Sequence, residues 1–179
     1  GAQLTTYGER FWVTILSDCE FLIAEYAKLK IRDVDHNPLG YGLIKCQQAA
    51  MARDQAKLRR AVGTLDAAMN DRSRSWRGVV TGFQALAKGD VHLFTQEAVP
   101  EMLRTHSKRN STSLLWPELF CLDCLAMIRL ANRSGMNVPP ISSPMLGPLE
   151  FQRYAPLERY ASRYEILREL NLPDIEIEA

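Results

Sequence analysis

Apolar side chains return every three or four positions along most of this chain, and no stretch offers two β-branched segments joined by a hairpin turn. That period sets one flank of a helix against a core and leaves the other in water. The expected fold class is therefore all-α: a multi-helix bundle or a short stack of antiparallel helical hairpins. From Tyr7 to about Ile31, Phe11, Ile15, Leu22, Tyr26 and Leu29 share a stripe that Cys19 and Ile23 fill, while Glu9, Arg10, Asp18, Glu25 and Lys28 lie mostly off it. One amphipathic helix is predicted there, ended by the turn around Pro38 and Gly40. A second helical pattern runs from Tyr41 to Met69 through Ile44, Met51, Leu58, Val62 and Leu65. Gly63 within it costs about 1 kcal/mol relative to Ala and reads as a point of close helix packing.

The middle of the chain carries the clearest local signal. Trp76, Val79, Val80, Phe83 and Leu86 form an apolar face, after a break at 70–73 that makes Ser73 or Ser75 the candidate N-cap. Lys88-Gly89-Asp90 then supplies a basic last turn, a C′ glycine and an N-cap acid in succession, which predicts an antiparallel helical hairpin. Phe94, Ala98, Met102 and His106 continue on the next helix, kinked or delayed by Pro100. A helix from Trp116 to Asn132 is apolar around most of its circumference and reads as central. Four prolines make 136–148 an irregular crossing, and a final helical region carries Leu149, Phe151, Tyr154, Tyr160 and Tyr164. One helical domain spanning 1–179 is expected.

Composition limits the function classes. With 46% hydrophobic and 24% charged residues the chain has the make-up of an ordinary globule, and no run approaches the length needed to span a bilayer. A formal net charge of +1 argues against a nucleic-acid partner. The charge is uneven, however: residues 51–77 hold seven basic side chains against three acids, and 145–179 hold four against seven. Such asymmetry suits charge-directed recognition of another protein. Cys19, Cys46, Cys121 and Cys124 all sit in apolar segments and read as free thiols of a reducing compartment, the cytoplasm.

Residues that could carry chemistry are few. Cys121-Leu122-Asp123-Cys124 has CxxC spacing, but it reads as two core-packed cysteines, with His106 the nearest imidazole if a metal were held. His36, His92 and His106 show no metalloprotease spacing, and His106 lacks an evident nucleophile and orienting acid in sequence. No Gly-rich phosphate loop occurs, so no cofactor, metal or catalytic residue is expected and the chain is not read as an enzyme.

The run Ala85-Leu86-Ala87-Lys88-Gly89-Asp90, then Phe94, Leu103 and His106, followed by the helix at 116–132 and a Pro-rich segment, resembles a group of bacterial polymorphic-toxin immunity proteins. The similarity covers about residues 76–150. It implies an all-helical chain that binds and neutralises a cognate toxin through exposed charged side chains. Such a role would fall on His106, Lys108 and Arg109 or on the acidic tail. The basic cluster at Arg72 and Arg74, and Arg153 with Tyr160 and Tyr164, have the composition of an interface and complete the candidate partner-binding set. Two other readings stay open: an enzyme or small-ligand-binding regulator with an interhelical pocket, and a structural subunit of a larger complex.

Overall fold

A computed structural model describes residues 10–31, 37–109 and 120–156 of the chain. Among them the architecture is all-α, with no sheet. Residues 10–16 form α1, followed by α2 (Glu20–Lys28), α3 (Pro38–Met51) and α4 (Gln55–Ala67). A 3-10 turn at Asp71–Trp76 runs directly into α5 (Arg77–Lys88). Then α6 (Val91–Leu93) passes through a π-helical turn, Phe94–Ala98, into α7 (Val99–Arg109). After α8 (Leu122–Arg133) come short 3-10 turns at Pro144–Leu146 and Leu149–Gln152. Among the described residues no helix is long and apolar enough to cross a membrane.

Two expected long helices are each broken in the structure, for related reasons. The Tyr7–Ile31 pattern splits at Ser17–Cys19, where Asp18 takes a left-handed conformation (φ 55°) and turns its carboxylate inward to meet Arg129 of α8 at 2.9 Å. The Tyr41–Met69 pattern splits at Ala52–Asp54, where Arg53 is left-handed (φ 53°) and Asp54 caps α4 by accepting from the Lys57 amide at 2.9 Å. Apolar spacing carries on through both breaks, so periodicity alone cannot register them. The second break folds α3 and α4 into an antiparallel hairpin. Close approach there is allowed by Gly42, where a Cβ would lie 3.1 Å from the Leu65 Cα. Gly63, the expected contact point, has nothing within 4 Å of such a Cβ.

The Lys88-Gly89-Asp90 turn forms as expected. Gly89 is left-handed (φ 69°) and the Asp90 carboxylate accepts from the Leu93 amide at 2.9 Å. Pro100 acts ahead of itself: lacking an N–H, it is preceded by the widened turn in which the Val99 amide donates to the Phe94 carbonyl. The centre is α5, which touches α3, α4, α7 and α8, and whose Phe83 is fully buried. Against it lies α8, with Cys124, Leu125, Ala126, Met127, Ile128, Leu130 and Ala131 all buried.

The C-terminal half of α8 ties the N-terminal helices to this core. Arg133 grips the Glu20 carboxylate through two hydrogen bonds, at 2.8 and 2.6 Å, and donates to the Met51 carbonyl at 2.6 Å. These hydrogen bonds hold the Glu20 carboxyl below its ordinary value; burial opposes them, and the charges of Arg133 and Arg53 add to them. A lowered folded pKa contributes stability that is fully present above the unfolded glutamate value of about 4.3 and is lost as pH falls through the folded one. Thermal melts from pH 7 to pH 3 should therefore decline less steeply for Glu20→Gln than for the wild type. Parallel declines would remove Glu20 from the account of acid sensitivity.

Candidate functional site

The first turn after α4 begins with a capping box. Asn70, and not Ser73 or Ser75, is the N-cap: its side-chain oxygen accepts from the amides of Arg72 and Ser73 at 2.9 and 3.2 Å, while the Ser73 hydroxyl accepts from the Asn70 amide at 2.8 Å. The tight 3-10 turn that results buries Ser73 and leaves Arg72 and Arg74 exposed. Thr105 of α7 locks this turn in place. Its hydroxyl oxygen lies 2.9 Å from the Ser75 carbonyl and 2.7 Å from the Glu101 carbonyl. Gly78 lets the α7 backbone come close, since a Cβ there would sit 2.6 Å from the Met102 nitrogen.

These contacts bring two basic clusters, about thirty residues apart in sequence, onto one open cleft of about 360 Å³. Arg74 and Arg77 line it from the first cluster, Arg104 and Lys108 from α7, with Glu101 the one carboxylate among the described lining. Glu101 is already engaged: Arg104 binds it in a two-pronged contact at 2.7 and 2.6 Å. Arg74 meets Asp71 at 2.8 Å, but both side chains are largely solvated, so that pair neutralises little. The cleft is cationic, and its guanidinium forks are suited to carboxylate or phosphate groups.

The expected partner-binding residues are placed differently by the structure. Arg74 and Lys108 face the same cleft. Arg72 is exposed nearby without lining it, and Arg153 is exposed beyond the last 3-10 turn, away from the cleft. The Arg109 side chain, Tyr160 and Tyr164 lie outside the described residues. His106 must be corrected: it is 2% exposed, so its ring is not available to a partner. The reason is helical register, since Ala98, Met102 and His106 follow one another at intervals of four on the core face of the turn leading into α7.

His106 instead joins a buried polar cluster. The helix expected from Trp116 is observed only from Leu122, which makes Cys121 the N-cap of α8. Cys121 Sγ donates to Asp123 Oδ1 at 3.0 Å, and the Cys124 amide donates to the same oxygen at 2.8 Å. Donor atoms of His106, Cys121 and Asp123 all lie within 4.8 Å of one another. Folding thus supplies the thiol and the acid that His106 lacks in sequence. It does not supply a nucleophile. The Cys124 side chain that hydrogen-bonds Cys121, together with burial and the charge of Asp123, pushes the Cys121 thiol far up, and the sulfur is 0% exposed. Burial alone pushes the Cys46 thiol up to about 12. All four cysteines are free and buried.

A second basic cleft has no counterpart in the sequence reading. About 590 Å³ in volume, it lies between the end of α2 and the α3–α4 hairpin. Lys28, Lys30, Lys45, Lys57 and Arg60 line it, with no carboxylate among the described lining residues. The basic stretch 51–77 is thereby shared out: Lys57 and Arg60 face this cleft, Arg74 and Arg77 the other. Lys28 and Lys45 belong to separate helices, so only tertiary packing reveals their convergence. No family model, no curated protein and no solved structure matches this chain.

Proposed function

We propose that this chain is a cytoplasmic helical protein-binding module, an immunity protein that binds and neutralises a cognate toxin, with the α5–α7 cleft as its docking surface. The observation that supports this is the meeting of Arg74, Arg77 and Lys108 in one open cleft, beside an Arg104 that Glu101 already engages. A pre-formed cationic surface steers an acidic partner by long-range attraction and holds it through guanidinium forks, with no chemistry required.

The test uses the product of the adjacent gene, purified and titrated against this chain. The double reversal Arg74→Glu with Lys108→Glu is expected to weaken binding at least about tenfold, a loss of about 1.4 kcal/mol, and to flatten its salt dependence. Arg153→Glu, outside the cleft, should bind like the wild type. An adjacent product that does not bind would defeat the immunity reading. Loss of binding through Lys45→Glu with Arg60→Glu, and not through the first pair, would move the surface to the α2–α4 cleft.

A further inference from the structure

The junction of α7 and α8 gathers donor types that a soft divalent cation selects, in a place shielded from solvent. His106, Cys121 and Asp123 are 2%, 0% and 8% exposed, and their donor atoms fall within 4.8 Å of each other. Tetrahedral zinc, with bonds of about 2.0–2.3 Å, sets its donors roughly 3.3–3.8 Å apart. Closing the three onto one ion requires side-chain shifts of about an ångström and no rearrangement of helices. Cys124, one turn beyond Cys121, is buried as well, but its sulfur is not one of the three donors that lie within 4.8 Å of one another. Thiolate, imidazole and carboxylate are all donors that zinc accepts, whereas magnesium and calcium require oxygen donors throughout.

We propose that His106, Cys121 and Asp123 form a zinc site that fastens the last turn of α7 to the first turn of α8. Three buried protein donors hold the ion, a water completes the tetrahedron, and the ion joins the two helices. Binding releases the Cys121 thiol proton to solvent as the sulfur coordinates, with no oxidation or reduction. This site stands apart from partner binding.

The full chain, stripped with a chelator under reducing conditions, is titrated with Zn²⁺ and separately with Co²⁺. Expected are one equivalent of metal per chain, a rise in melting temperature with Zn²⁺, and an intense tetrahedral Co²⁺ spectrum with thiolate-to-cobalt charge transfer. Cys121→Ser and His106→Gln should each weaken metal binding at least about tenfold, and Cys121→Ser should reduce the charge-transfer band. A variant that loses its helical circular dichroism is set aside, and the wild-type cobalt spectrum then decides. A stripped wild type showing no charge-transfer band, or a folded Cys121→Ser with an unaltered one, overturns the site. Neither readout involves a protein partner, so failure here leaves the docking cleft to its own test.

Discussion

Arg129→Met is expected to lower the unfolding free energy by roughly 3–5 kcal/mol, measured by urea denaturation followed by far-ultraviolet circular dichroism. Arg129 Nη1 donates to the Asp18 carboxylate at 2.9 Å and to the Leu16 carbonyl at 2.7 Å, while Nε donates to the Phe151 carbonyl at 2.5 Å. The two side chains of the ion pair retain only 12% and 5% of their exposure. Removing the guanidinium takes the Arg129 charge away from a carboxylate in the interior, and that cost exceeds anything a well-packed methionine returns. Adding Asp18→Asn should recover much of the loss, because the amide carries no charge and asparagine tolerates the left-handed backbone (φ 55°) found there. A single Arg129→Met variant within about 1 kcal/mol of the wild type would make the pair dispensable.

The same residue shows where sequence reading stops. Arg129 and Asp18 lie 111 positions apart, and neither stands out in its own stretch of sequence. The α-class of the fold was legible because apolar period is a local property, and so was the Lys88-Gly89-Asp90 turn, whose capping chemistry is complete within three residues. The breaks at Asp18 and Arg53 were not. A single left-handed residue costs about 1–3 kcal/mol, which tertiary contacts offset, so it is the tertiary arrangement and not the apolar period that selects it.

The site divides along the same line. Arg74 and Lys108 were each visible as exposed basic positions, but their sharing of one cleft depends on Thr105 reaching the Ser75 carbonyl, a contact no periodicity reports. The burial of His106 did have a signal. Its interval of four from Met102, and of eight from Ala98, puts it on the core face, a placement that outweighs its polar character and its basic neighbours.

Two glycines are expected to answer an added methyl group with opposite signs. Gly63→Ala on α4 is expected to raise stability by up to about 1 kcal/mol, since a Cβ there meets nothing within 4 Å and alanine restores helix propensity. Gly78→Ala on α5 should do the reverse and lower stability by about 1–3 kcal/mol. Its Cβ would stand 2.6 Å from the Met102 nitrogen and 3.0 Å from the Glu101 carbonyl carbon, both backbone atoms that no rotamer change can move aside. Relief requires α7 to back away from α5, which would pull Thr105 from the Ser75 carbonyl and widen the cleft that Arg77 and Lys108 share. Chemical denaturation of the two variants side by side reads both signs at once. Stabilisation by Gly78→Ala would mean that the two helices are not held as closely as the packing of Met102 requires.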